Sequence, residues 1–383
     1  MNNTFCVLPW THLCIRPDNV LKPCCRFLSD NPSNEFKTTL DDVYNQSEDA
    51  MNTEYFKSIR TRMLNGEKIA GCQKCYTQEE NSNRTKLSAR ELNNKEIPVD
   101  INTLSDQYLK TKYIEMSVDN ICNLQCRMCD SKFSSKLQKR DKFLGNVVFK
   151  KLEPNFYKLT NLDLSELVKV KILGGEPFIT PNFEKFIDFL FKHSDPTKID
   201  LDISTNGTAV PSKRIINKLN KFNHMSINVS LDAVDIANDY QRAGSSYTQT
   251  IANAETYAKL FDKCIISHHI TVSIITANKL AKTVDYLQSQ DKMFSIDFVR
   301  DPEHYSLLYT PDAFKDWILE VNKDNNIAYT LFKNFMYQKN YKPEVWQTFI
   351  NTTEKLDKYY KVKLEEYNSE LYHYIQNINE SKV

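Results

Sequence analysis

The chain has 383 residues, 41% of them hydrophobic, with 50 Lys and Arg against 49 Asp and Glu. That length allows one large domain with a satellite, or two ordinary domains, and the apolar share is enough for a real core. A formal charge of +1 gives no overall field to draw a nucleic acid or a membrane surface, and no apolar run approaches the ~20 residues of a membrane span.

The start, MNNTFCVLPW, lacks the basic-then-apolar pattern of a secretory signal, so the expected compartment is the cytoplasm. Thiols stay reduced there, and the 10 cysteines need a reason other than disulfides. Nine fall at 6, 14, 24, 25, 72, 75, 122, 126 and 129, while Cys264 stands apart. Clustered cysteines in a reducing compartment point to metal or iron–sulfur ligation.

Residues 1–92 form a cysteine-bearing module. Within it, residues 49–65 carry Met51, Phe56, Ile59 and Met63 at helical spacing, and Gly66 is a natural stop. The polar stretch 93–111 reads as a connector. A strand at 112–118 then delivers Cys122 to a loop. A second strand, 168–173, ends at Gly174-Gly175-Glu176-Pro177. Residues 183–193 predict an amphipathic helix with Phe183, Phe186, Ile187, Leu190 and Phe191 on one face. Strands follow at 199–204, 225–231, 265–275 and 295–299, with helices at 212–222, 248–261 and 280–289. Strands alternating with helices imply a parallel sheet with helices outside. About six such units predict an α/β fold with a partial (β/α)6 TIM-like barrel over 112–304, rather than the closed eightfold one. Residues 305–383 turn helical and aromatic-rich, and are expected to pack on the barrel.

The run Cys122-Asn-Leu-Gln-Cys126-Arg-Met-Cys129 places three thiols on one tight loop. A [4Fe–4S] cube ordinarily takes four thiolates, and no fourth cysteine lies nearby, so one iron is left open to a ligand. A structural zinc recruiting His or a distant Cys is the alternative. The triplet's spacing and position resemble the radical S-adenosylmethionine superfamily. The resemblance implies that the cofactor's amino and carboxylate groups chelate the open iron, and that one electron splits the sulfonium to a 5′-deoxyadenosyl radical. It further implies that Gly174, Gly175 and Glu176 (the family's GGEP) receive the methionine amino group. Ser204 and Asn206, in STNG, match polar positions near the cofactor. Ser230 and Asp232 match the segment that touches the ribose, and Arg242, in YQRAG, matches the arginine for the carboxylate, a bidentate task suited to guanidinium. Met128 matches the apolar position beside the adenine, with Asn278 a further candidate. All sit at carboxyl ends of strands, where parallel barrels place active sites.

The N-terminal cysteines resemble the auxiliary-cluster modules called twitch and SPASM domains. The run IRPDNVLKPC looks like their hairpin, with Asn19 in place of the usual glycine; Asn tolerates the left-handed turn. Cys75-Tyr76, Glu79 and the stretch from Arg84 to Arg90 fit the variant in which the module precedes the barrel. The resemblance implies a second [4Fe–4S] cluster on Cys6, Cys24, Cys72 and Cys75. Cys25 could replace Cys24, Cys14 is expected to point elsewhere, and a four-cysteine zinc ribbon is the alternative.

His268 and His269 are neighbours on a strand and should face opposite sides, which argues for structural roles. Cys264 reads as a small buried hydrophobe, with hydrogen donation to a substrate radical as the other possibility. The expected function is hydrogen abstraction from a peptide or small molecule, fed by a flavodoxin or ferredoxin, without a membrane or nucleic-acid partner. Dehydrogenation or rearrangement of a carbohydrate-like molecule, and a zinc-binding scaffold, are the competing readings.

Overall fold

The computed structural model describes residues 4–28, 38–41, 49–80, 87–107, 109–150, 152, 156–336 and 340–380. The chain divides into two compact units. Met1–Asn120, Lys151–Ile203 and Lys213–Met225 form the first; Ile121–Lys150, Ser204–Ser212 and Ser226–Val383 form the second.

The first unit carries β1 (His12–Ile15), β2 (Val20–Lys22), β3 (Thr38–Thr39), β4 (Tyr113–Ser117), β5 (Lys169–Leu173) and most of β6 (Asp200–Thr205). Their order is β3-β2-β1-β4-β5-β6. The antiparallel pair β1–β2 sets Cys14 opposite Lys22 and turns at Asn19, whose φ of 60° is the left-handed conformation expected of it. β1 then runs parallel to β4, and β4, β5 and β6 are parallel in turn.

Side chains alternate along these strands. Ile15, Met116, Ile172 and Ile203 form one buried apolar row, while Cys14, Glu115, Lys171 and Asp202 form a polar row on the other face. The helix Pro181–His193 starts with the Thr180 hydroxyl accepting from Asn182 N and buries Phe183, Phe186, Ile187, Phe189 and Leu190. Each such side chain contributes roughly 1.5–3 kcal/mol. Phe191, expected on that face, is half-buried instead and meets Phe222 at 5.7 Å. The helix Glu54–Leu64 lies inside the expected 49–65. The stretch expected as a connector begins within a helix, Ala89–Glu96, because Ser88 and Glu91 form a reciprocal capping box at its start.

The second unit holds most of β7 (His224–Ser230), then β8 (Cys264–Val272) and β9 (Met293–Phe298), in that order, with β8 and β9 parallel. β8 stops at Val272, short of the expected 275, because the Ser273 hydroxyl accepts from Ile275 N and turns the chain. Ile270, Val272 and Ile296 share a core with Leu280, Val284 and Leu287 of the helix Leu280–Ser289. The C-terminal helices complete that core through Phe314, Ile318, Phe332, Trp346 and Phe349. His268 faces this core and His269 is partly exposed, as strand alternation requires. From β4 to β9 the chain has the six-strand alternating α/β order of the TIM-like class, with helices at its C-terminal end. No helix among the described residues is long and apolar enough to cross a membrane.

Candidate active site and cysteine centres

The loop 121–134 in the second unit turns its carbonyls outward to donors. Lys136 Nζ donates to Asn123 O at 2.8 Å, the Ser134 hydroxyl to Leu124 O at 2.9 Å, and the Tyr360 hydroxyl to Gln125 O at 3.1 Å. Arg140 donates to Cys126 O at 2.9 Å and also to Cys129 O, while Asp141 holds the same guanidinium and accepts from Ser131 N at 2.6 Å. Two backbone bonds of 2.8 Å, Gln125 N to Ala243 O and Arg127 N to Gln241 O, lay the loop along the segment that contains Arg242. The loop buries Leu124 and Arg127 and leaves its three thiols partly exposed.

Those thiols feel one another. Burial pushes Cys126 up to about 11, with Arg242 pulling the other way and Cys122 adding to the rise. Burial also raises Cys129, and Cys126, Asp130 and Cys122 add to it. Asn206 reaches the set from the end of β6, its Nδ2 lying 3.7 Å from Cys122 Sγ and donating to Asn123 Oδ1 at 2.9 Å. Three soft donors on one hydrogen-bonded loop are the donor set an iron–sulfur group takes, and such a group would draw off the thiol protons that burial retains.

Asp232 and Arg242 are paired with each other. Arg242 Nη2 donates to Asp232 Oδ1 at 2.9 Å and its Nε stands 2.7 Å from Oδ2. Thr271 N and Gln241 Nε2 donate to the same carboxylate. Both ends of the ion pair are buried, so the pair is a rigid element beside Cys126.

Gly174 and Glu176 lie in the first unit. Gly174 has φ 118°, and a Cβ there would stand 2.7 Å from Asp119 O, so only glycine lets the two backbone segments meet. Gly175 N donates to that oxygen at 3.0 Å. Glu176 is fully buried and accepts from Phe178 N at 3.1 Å. Ser230 ends β7, half-buried. Met128 packs against the second unit's core, and Asn278 donates to Asn368 and Glu370.

The N-terminal cysteines assemble in the first unit. Cys6, Cys24, Cys72 and Cys75 line one small cavity of about 20 Å³, together with Leu8, Phe27, Gly71 and Arg90. Burial pushes Cys6 up to about 12, with Cys75 adding and Arg90 opposing. Burial raises Cys24 as well, and Cys6 and Cys72 are among the thiols that add to it. Cys25 faces away. After burial, its largest influence is Glu115 of β4, while Cys14 is buried on β1 opposite that same Glu115. Arg90 at the cavity wall donates to Glu79 Oε1 at 3.0 Å and to Phe5 O at 2.7 Å. Arg84 lies outside the described residues. Among the described residues no three His, Cys, Asp or Glu side chains stand close enough to hold a single metal ion. Cys264 is half-buried, with its thiol 3.7 Å from Ile265 O and pushed up to about 12 by burial.

Sequence reasoning missed Arg140, Asp141, Asp357 and Tyr360, which hold the cysteine loop. Arg127 sits inside the motif and could have been marked as a charge with nowhere to go but inward. Asp357 lies 230 residues away and has no local signal.

Residues 116–287 match the family model described as the radical SAM superfamily. The chain carries a radical SAM domain over these residues. Among curated relatives, the radical SAM cyclopropyl synthase TigE of Paramaledivibacter caminithermalis is 28% identical over 253 residues, 59% of this chain and 50% of that protein. A GTP 3′,8-cyclase of Clostridium acetobutylicum is 30% identical over 123 residues, 32% of this chain and 35% of that protein. The chain thus spans half of the first relative and about a third of the second. Solved structures with a likeness include native anSMEcpe with bound AdoMet, at 20% identity and a TM-score of 0.41, covering 58% of this chain and 62% of that one. Streptococcus suis SuiB bound to precursor peptide SuiA is 14% identical with a TM-score of 0.36, covering 82% of this chain and 68% of that one.

Proposed function

We propose that this protein is an enzyme that cleaves S-adenosylmethionine at a [4Fe–4S] cluster held by Cys122, Cys126 and Cys129, and uses a second cluster on Cys6, Cys24, Cys72 and Cys75. The observation that carries the reading is the loop whose carbonyls are taken by Lys136, Ser134, Tyr360 and Arg140, leaving three mutually coupled thiols. Such a cluster, when bound, supplies the single electron that converts the sulfonium to a 5′-deoxyadenosyl radical for hydrogen abstraction.

The chain's own groups do the holding. Gly174, Gly175 and Glu176 would receive the methionine end, and Arg242 its carboxylate. Ser204, Asn206, Ser230 and Asp232 would hold the remaining polar groups, with Met128 against the adenine. Arg242 is already oriented by Asp232, so it would offer a fixed guanidinium edge and lose little entropy on binding. Asn206 beside Cys122 would donate toward sulfur and favour the thiolate.

Cys24 fits the second centre better than Cys25 because Cys24 lines the cavity. The substrate is a peptide or small molecule. A flavodoxin or ferredoxin would deliver the electron, in a cytoplasmic setting that keeps the thiols reduced.

Anaerobic reconstitution tests this directly. About eight irons per chain are expected, together with formation of 5′-deoxyadenosine from S-adenosylmethionine once the protein is reduced. Cys126→Ala should abolish that product. If 5′-deoxyadenosine persists unchanged in the variant, the reading fails.

A further inference from the structure

A buried charge network ties the last long helix to the cysteine loop, and the function above does not account for it. Arg127, between Cys126 and Met128, has a side chain only 1% exposed. Its Nη2 donates to Asp357 Oδ1 at 2.7 Å and its Nε to Tyr240 O at 3.0 Å. The guanidinium lies 3.6 Å from the centre of the Tyr240 ring. Tyr240 in turn donates its hydroxyl to the same Asp357 oxygen at 2.6 Å, and Asp357 Oδ2 accepts from Leu364 N at 2.8 Å. Asp357 is therefore the carboxylate that meets this buried cation, and it sits on the helix Pro343–Tyr360 whose last residue caps Gln125 O.

A guanidinium cannot shed its charge at any working pH, so its field is permanent. In a buried setting the field of one unpaired charge reaches neighbouring residues with little screening. A cation beside a redox centre favours the form with the extra electron. A carboxylate paired to that cation cancels most of the effect.

We propose that Asp357 is a positioning residue for the primary cluster: by neutralising Arg127 it sets how readily that centre accepts an electron. This inference rests on the reading that Cys122, Cys126 and Cys129 hold a redox-active cluster. It makes the helix Pro343–Tyr360 part of the working centre, and not only a cover for the core.

The test is an EPR-monitored redox titration of the full reconstituted chain. The signal followed is the one that changes when S-adenosylmethionine is added, which separates it from any second cluster. Asp357→Asn keeps the shape and removes the charge. It should raise the ratio of reduced to oxidised centre at a fixed potential on the order of tenfold, which is 59 mV for a one-electron couple. Arg127→Gln should shift it the opposite way, and the double variant should return close to the parent value. Opposed shifts that cancel are a charge signature that loss of packing does not produce. If one single variant fails to take up iron, the other carries the test through its own predicted direction. An unchanged potential in a loaded single variant, with only a lowered Tm, overturns the proposal. Absence of any signal responding to S-adenosylmethionine in the parent protein would instead overturn the functional reading beneath it.

Discussion

Replacing Gly174 by alanine isolates the backbone contact on which the Gly174–Glu176 turn depends. The residue has φ 118°, and an added Cβ would meet Asp119 O at 2.7 Å and Val118 N at 3.2 Å. That oxygen has no room to retreat. It already accepts Gly175 N at 3.0 Å, and the Asp119 carboxylate accepts from Thr180 and, at 2.9 Å, from Asn182. Dihedral strain for a side chain there is worth ~1–3 kcal/mol, and overpacking against fixed neighbours adds ~1–3 kcal/mol, so about 4 kcal/mol is expected in total. Gly145→Ala is the control. Its φ is 76° but nothing lies within 4 Å of the added carbon, leaving only ~1–2 kcal/mol of left-handed strain. At about 2–4 °C of Tm per kcal/mol in larger domains, the two variants should melt several degrees apart, Gly174→Ala lower. Equilibrium dialysis against S-adenosylmethionine should also show weaker binding in Gly174→Ala alone. Equal melting of the two variants would refute the argument that the 174–119 approach leaves no room for a Cβ.

Cys24→Ala should lower the reconstituted iron from about eight per chain to about four, while Cys25→Ala, whose thiol faces Glu115, should keep it near eight; iron assays decide, and the reverse result would exchange the two ligands. Arg140→Met removes the donor to both Cys126 O and Cys129 O and strands the buried Asp141, so a loss of ~3–5 kcal/mol is expected; faster iron release to a chelator and a lower Tm would be measured, and unchanged values would count against a clamp role. Burial holds His268 below its ordinary pKa of 6.5. As pH falls through that value the unfolded chain takes up the proton first, so stability is lost toward acid. Urea midpoints for His268→Phe should therefore fall less than those of the parent between pH 6.5 and about 5.

What the chain announced by itself was local. The alternation of strands and helices from β4 to β9 shows because periods of 2 and 3.6 are written in neighbouring residues. The triplet Cys122, Cys126 and Cys129 shows because its donors share one loop, and Asn19 shows because one residue's own sterics decide a left-handed turn. Tertiary structure decided the rest. The pairing of β1 with β4 brings together strands about a hundred residues apart, which no spacing rule connects. Cys24 and Cys25 are chemically identical neighbours, and only the fold turns one into the cavity and the other toward Glu115. The Arg127–Asp357 pair spans 230 residues, and Asp232 was free to meet any donor until burial beside Arg242 chose for it. Partners of that kind are selected by packing and desolvation, which depend on the whole chain at once, whereas motifs depend only on the few residues that contain them.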